Sequence, residues 1–373
     1  MKKNLKILNM RYLDYDGNDI TIGGVQTYIT NLATVAFGLG MSVEVYQFAN
    51  NTFNKDYHNI RVHGVKVDIN KDLKIKKNIL YNECMKSYSE EDILIFGTDL
   101  LIVKTKKPFA LGIQHGIGWD IESTEQCARM KNVIQIVRQA RRSLVTTKQV
   151  SYLRKLVCVD YNYINWYRTQ ILHHEMEYEV IPNFTHVPEK NTIKQKDNTI
   201  RIIFARRLVP YRGTRIFADV VELLLNEFSN IDITFAGDGP DETMLRRRFS
   251  ESGRVHFITY NSEDSLKIHS DKHIAVVPTI RSEGTSLSLL EAMASSCAVV
   301  CTNVGGMTNI VIDRFNGRIV NPEVASIYAA IRDLIVNCKE RVEIASAGYD
   351  TVKSGFSFDV WKEKWEEILV SID

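Results

Sequence analysis

Several familiar signatures are missing from this chain. No window holds the roughly 18 uninterrupted apolar residues of a membrane-spanning helix. The opening MKKNLKILNM breaks its apolar run at Lys6 and Asn9, a poor export signal and a fair first strand. Six cysteines occur, none in a C-x-x-C pair. The expectation is therefore small buried thiols in a reducing compartment, and a cytoplasmic protein. No G-x-G-x-x-G follows a strand-like run, which disfavours a dehydrogenase, and no G-x-x-x-x-G-K-[ST] occurs, which disfavours a P-loop NTPase. Net charge is only +2 over 373 residues, so no nucleic-acid partner is expected from charge.

What is present is ordinary globular material, with 45% hydrophobic and 25% charged residues. At roughly 100–200 residues per domain, two domains are expected. Short runs rich in Ile and Val read as strands: LKILNM, SVEVYQF, DILIFG, FALGIQHG, KLVCVD and YEVIPN, then IRIIFA, IDITFAG, VHFITY, IAVVPT, AVVCTN and GRIVN. Helical spacing separates them at Thr27–Leu39, Ile216–Phe228 and Leu287–Ala294. Two such sets predict two α/β domains with parallel sheets. The polar stretch His186–Thr199 reads as the linker, and the last residues, FSFDVWKEKWEEILVSID, as one amphipathic helix with Trp361 and Trp365 on its apolar face.

The most informative stretch is RSEGTSLSLLEA, Arg281 to Ala292. Glu283 falls in the loop after strand IAVVPT, and Glu291 in the second turn of the following helix. Eight residues at 3.6 per turn leave the two side chains about 80° apart, so both carboxylates can face one crevice. Ligands of open α/β sheets bind outside the carboxyl ends of strands. The amides of Thr285, Ser286 and Leu287 at the helix start favour an anion, and carboxylates accept hydrogen bonds from sugar hydroxyls. Spacing alone does not separate this from a solvated loop residue and an ordinary helix-surface residue.

Other candidates stand at similar strand ends. ARRLVPYRG puts Arg206, Arg207 and Arg212 around one strand-to-helix loop, where guanidinium groups suit phosphate oxygens. Gly237 in FAGDGPD and Gly23-Gly24 in ITIGGVQTYITNL permit tight turns or close backbone approach. His115 ends the strand of FALGIQHG; a lone histidine is usually structural, but catalytic groups gather at such ends. Arg129–Lys155 holds eight Lys or Arg and no Asp or Glu, interleaved with apolar residues. It reads either as a solvated face and core stripe or as a basic surface for an anionic leaflet. Asp14–Asp16, DYD, spells a metal-binding D-x-D, but its place before the Gly-Gly loop favours a turn.

In this order the motifs resemble the retaining glycosyltransferases of the GT4 family. SEGTSLSLLEAMASSCAVVCTNVGGMTNIV, Ser282 to Val311, matches the E-x7-E signature and the segment that follows it, while RRLVPYRG and FAGDGP match in order and spacing. The resemblance implies the GT-B fold: two Rossmann-like domains facing across a cleft, residues 1–186 with 357–373 and residues 187–356, the last helix crossing back to the first domain. It implies a nucleoside-diphosphate sugar as donor, a UDP-sugar in this reading. It also implies a glycan or lipid-linked acceptor, no required cofactor and no metal ligands. Glu283 would hold the donor sugar's hydroxyls and Glu291 the ribose diol. Arg207 and Arg212 would neutralise the diphosphate. Thr285, Ser286, Leu287, Gly23, Gly24 and Gly237 would line the nucleotide site, Tyr260 would lie near the base, and His115 over the donor sugar. Arg212 stands where the family's usual lysine is, and Ser286 and Thr259 replace frequent glycines. The expected setting is cell-envelope or capsular polysaccharide synthesis in the cytoplasm, with Arg129–Lys155 touching the inner membrane face. An epimerase or phosphorylase on the same fold, a metal-dependent transferase and a sugar-binding protein are the competing readings.

Overall fold

The computed structural model describes residues 3–21, 23–117, 133–170, 176–191, 194, 198–281 and 283–372. The chain divides into two compact units. The first holds Met1–Gly116, Val133–Pro182 and Trp361–Asp373; the second centres on Asn183–Val360. The units therefore part at Pro182 and again at Val360, where the sequence suggested 186 and 356.

The first unit carries an eight-stranded sheet in the order β3-β4-β2-β1-β5-β6-β7-β8. Its strands are β1 (Asn4–Asn9), β2 (Ser42–Ala49), β3 (Phe53–Tyr57), β4 (Ile60–Lys66), β5 (Ile93–Phe96), β6 (Ala110–Gln114), β7 (Lys155–Cys158) and β8 (Glu177–Val180). The central strands β5 and β6 are buried along their whole length, which explains why they read as unbroken apolar runs. Pairing is parallel except between β3 and β4, which form an antiparallel hairpin. Helices α1 (Gly24–Gly38), α2 (Leu73–Met85), α3 (Val133–Val150) and α4 (Tyr161–Tyr167) belong to this unit.

The second unit carries a six-stranded parallel sheet, β11-β10-β9-β12-β13-β14. It comprises β9 (Ile200–Ala205), β10 (Ile231–Ala236), β11 (Val255–Ile258), β12 (Ile274–Val277), β13 (Ala298–Thr302) and β14 (Arg318–Val320). Helices α5 (Thr214–Glu227), α6 (Glu242–Arg248), α7 (Ser265–His269), α8 (Leu287–Ala294), α9 (Val324–Val336) and α10 (Cys338–Gly355) alternate with the strands. Phe204, Phe217, Phe235 and Val276 are fully or almost fully buried in its core. The last helix, α11 (Phe358–Ser371), sends Trp361 and Trp365 into the first unit, where both are buried.

Both sheets reverse strand order once. In the first, the chain leaves β1 toward β2 and returns to β5; in the second it leaves β9 toward β10 and returns to β12. The carboxyl ends on either side of such a reversal splay their loops apart and leave a crevice. That places the residues after β9 and after β12 at the centre of the second unit's site.

Candidate functional site

Arg206 directly follows β9, and Glu283 lies in the loop after β12, so the reversal brings them together. Arg206 Nη2 stands 2.7 Å from Glu283 Oε2, with side chains only 5% and 9% exposed. Arg212, at the end of the single turn Pro210–Arg212, donates to the same oxygen from a less buried position. Thr279 donates to Glu283 Oε2 at 3.1 Å and receives a hydrogen bond from Arg206 Nη1. Thr279 is itself fixed, because Thr302 Oγ1 donates to its carbonyl at 2.5 Å. Burial alone would raise the Glu283 carboxyl, but the guanidiniums of Arg206 and Arg212 outweigh it and hold it below the ordinary value. Glu283 is therefore an oriented carboxylate at neutral pH.

Glycines make this arrangement sterically possible. Gly213 adopts φ +82°, and a Cβ there would stand 1.8 Å from the carbonyl oxygen of Pro278. Gly305, at φ +57°, packs so closely that a Cβ would lie 2.1 Å from the Glu283 carbonyl oxygen. Gly306 N–H donates to that same oxygen at 2.8 Å. The loops after β9, β10, β12 and β13 thus interlock through backbone contacts: Arg206 N–H to Ala236 O at 2.9 Å, Leu208 N–H to Asp238 O at 2.6 Å, Ile280 N–H to Tyr211 O at 3.1 Å. Gly237 belongs to this packing as well, since a Cβ there would lie 2.3 Å from the Arg206 carbonyl oxygen.

Glu291 occupies the second turn of α8, as its spacing predicts. Burial pushes its carboxyl up to about 7, against a hydrogen bond from Ser265 and the charge of Arg206. Half-buried Tyr260 faces both groups: burial and the charge of Glu291 raise its phenol, and Arg206 opposes them. Thr285 and Ser286 are buried at the start of α8, with the Thr285 carbonyl accepting from Asn183 Nδ2 at 2.8 Å. The amides of Thr285, Ser286 and Leu287 thus stand at the positive end of a helix dipole beside the Glu283 loop.

Arg206 makes the buried pair with Glu283, while Arg207 is exposed. The sequence names Arg206 among three loop arginines without giving it a partner, so its pairing with Glu283 was not foreseen. Thr279 and Ser265 were missed outright, having no signal beyond being hydroxyls near strand or helix ends.

In the first unit, Gly23 precedes α1 in an extended conformation with φ 172°, and Gly24 opens the helix. His115 follows β6, its Nε2 lying 2.9 Å from the carbonyl oxygen of Gly97, which follows β5. Burial pushes its imidazole down to about 4. Asp14, of the D-x-D, organises a turn by accepting the amides of Asp16 and Asn18 at 2.9 Å each and that of Asp19 at 3.2 Å. Among the described residues, no group of three His, Cys, Asp or Glu has the arrangement of a metal site. Cys84, Cys158, Cys297 and Cys301 are buried thiols. Residues 129–132 of the basic segment lie outside the described residues. Its helix α3 exposes Ile136, Val137, Leu144 and Val145, so these apolar positions are not the core stripe that the sequence also allowed. Among the described residues, no helix is long and apolar enough to cross a membrane.

Residues 186–351 match the family model described as Glycosyl transferases group 1. An uncharacterized glycosyltransferase of Methanocaldococcus jannaschii is 27% identical over 177 residues, 46% of this chain and 46% of that protein. The chain spans about half the length of the curated relatives it matches. Its fold is similar to that of sucrose-phosphate synthase from Thermosynechococcus elongatus, with a TM-score of 0.75 at 14% identity over 100% of this chain and 99% of that one. It is also similar to Anabaena HepE, solved in complex with UDP, with a TM-score of 0.73 at 15% identity over 99% of this chain and 100% of that one. Family model and fold point the same way: residues 186–351 are similar to glycosyl transferases group 1, in a chain with the GT-B fold.

Proposed function

We propose that this chain is a retaining glycosyltransferase of the GT4 type, moving a sugar from a UDP-sugar to a glycan or lipid-linked acceptor. The observation that carries the reading is the Glu283 carboxylate, held ionised and aimed by Arg206 and Arg212 at the strand-order reversal, with Glu291 eight residues on. HepE was solved with UDP, which supports uracil as the base.

Breaking a sugar–phosphate bond builds negative charge on the leaving diphosphate. Arg212, the less buried of the two guanidiniums on Glu283, and the amides at the start of α8 supply fixed positive charge for it without reorganisation. Arg207, exposed one residue from Arg206, adds a further cation at the same loop. Glu283 offers a carboxylate to the sugar's hydroxyls, and Glu291 offers one to the ribose diol. The leaving phosphate itself helps deprotonate the acceptor hydroxyl, so transfer occurs on one face with retention.

The acceptor belongs to envelope or capsular polysaccharide synthesis in this reading, and the enzyme works in the cytoplasm against the inner membrane face. Supporting that placement, α3 presents Val137 and Leu144 in the open beside Arg141 and Lys148, a basic amphipathic surface without a carboxylate. The test begins with thermal unfolding in UDP, GDP and ADP, each with and without EDTA. A ligand at about 100 times its Kd stabilises by about 2.7 kcal/mol. A rise with UDP alone, unchanged by EDTA, followed by sugar transfer from a UDP-sugar with the anomeric configuration kept, is the expected result. No rise with any nucleoside diphosphate would overturn the reading.

A further inference from the structure

His115 has a defined tautomer. A carbonyl oxygen only accepts, so the 2.9 Å contact to Gly97 places the ring hydrogen on Nε2. With the imidazole pushed down to about 4 by burial, Nδ1 is bare at neutral pH and can only accept. His115 is thus an acceptor for a hydroxyl and not a cation for a phosphate.

The wall that buries it comes from far away in sequence. Tyr28 on α1 meets the His115 ring edge-on, with centroids 5.4 Å apart and planes at 88°. Tyr28 is 3% exposed and is gripped by two indoles of α11, Trp361 at 5.1 Å and Trp365 at 6.1 Å between centroids. Trp365 Nε1–H donates to Tyr28 Oη at 2.9 Å inside this buried cluster. Cys158, also buried, is the other titratable group facing Tyr28. A packing-only cluster would need no directed bond; an indole N–H aimed at the phenol fixes the angle of the Tyr28 ring against the His115 ring.

We infer that Tyr28 and Trp365 are positioning residues: the C-terminal helix, through the Trp365–Tyr28 hydrogen bond, sets the His115 ring as a neutral acceptor whose Nδ1 receives a substrate hydroxyl hydrogen. The assignment of that hydroxyl to a sugar rests on the function proposed above. The hydrogen bond and the histidine's tautomer do not. The chain's own terminus then tunes a group that lies some 250 positions earlier in the sequence.

The test uses Trp365→Phe and Tyr28→Phe, which keep the rings and remove one partner each, and the double variant. Histidine-ring NMR follows His115 through pH, and donor turnover gives kcat and KM. In either single variant His115 is expected to titrate nearer the ordinary value of about 6.5, and kcat to fall roughly ten-fold with UDP affinity unchanged. The double variant should be no worse than Tyr28→Phe alone, which already removes the phenol that both Trp365 and Trp361 bond. An unchanged His115 titration in either folded variant, or additive losses in the double, overturns the coupling. A shifted titration in a chain whose wild type transfers no sugar leaves the coupling standing and overturns only the transferase reading.

Discussion

Truncating Arg206 to alanine is the sharpest perturbation the structure offers. Its guanidinium is 2.7 Å from Glu283 in a pair whose side chains are 5% and 9% exposed. Removing one partner of a buried ion pair costs about 3–5 kcal/mol, because the other charge is left desolvated. Arg212 and Thr279 remain on the same carboxylate oxygen, so the low end, about 3 kcal/mol, applies here. For a unit of this size each kcal/mol moves the midpoint by about 2–4 °C, giving a fall of about 6–12 °C in a calorimetric scan. The effect depends on pH with a definite sign. Glu283 is held below the ordinary carboxylate value in the folded chain, so its contribution is present above the unfolded value of 4.5 and is lost as pH falls through the folded one. The gap between wild type and Arg206→Ala should therefore be widest at neutral pH and close in acid. Arg207→Ala, at an exposed position, should melt within about 0.5 kcal/mol of wild type. The double replacement Arg206→Met with Glu283→Gln should regain most of the lost stability while remaining inactive. An Arg206→Ala midpoint equal to that of wild type, or an Arg207→Ala midpoint as low as expected for Arg206→Ala, would refute the assignment of partners.

Three further outcomes follow from other parts of the molecule. Glu291 sits at about 7 because of burial, above its unfolded value of 4.5, so its contribution to stability is complete below 4.5 and disappears as pH rises through 7. In its proposed role on the ribose diol Glu291 acts in its ionised form, so UDP affinity by calorimetry should rise between pH 6 and 8 in wild type more than in Glu291→Gln; the titration of UDP itself is common to both and cancels. Gly305→Ala must place a Cβ 2.1 Å from the Glu283 carbonyl oxygen at φ +57°, so it should lose about 1–3 kcal/mol of stability and bind the donor sugar poorly, as read by thermal unfolding and KM. Arg141→Gln with Lys148→Gln on α3 should weaken flotation with anionic vesicles roughly thirty-fold, at about 1 kcal/mol per charge, and leave turnover of a soluble acceptor unchanged. Equal flotation by both proteins would count against membrane contact through this helix.

The second unit was nearly transparent to sequence reading. All six of its strands were expected, because a parallel sheet covered on both faces demands largely apolar runs such as IRIIFA and AVVCT. The E-x7-E spacing was equally plain, since the loop and the helix that carry it are both local. The first unit hid its hairpin. β3 reads FNKDY and β4 IRVHGVK, with β3 mostly exposed and β4 mixing in Arg61, His63 and Lys66. The polarity of β4 has a tertiary cause: Glu44 on β2 pairs with buried Lys6 on β1 at 3.1 Å and with His63 on β4 at 3.0 Å, so charged residues satisfy one another across neighbouring strands. The turn between the two strands is made by His58 and Asn59 at φ 48° and 67°, where a sequence reader looks for Asn-Gly. At the site, the pairing of Arg206 with Glu283 was invisible for a similar reason, since only the packing of neighbouring loops brings the two together.

That polar hairpin also bears on how the protein stays in solution. An open sheet ends in a row of unpaired amides and carbonyls, which invites another strand to join it and a fibre to grow. Here the eight-stranded sheet closes one end with β3, antiparallel and carrying Lys55 and Asp56 outward, and the other with β8, four residues that include Glu177 and Glu179. The six-stranded sheet ends in β11, of four residues, and β14, of three. Every border is short or charged, so neither sheet offers a long apolar template. Loss of the β3 strand would change that at one place only, laying bare the seven-residue backbone of β4 and making that edge a template for aggregation.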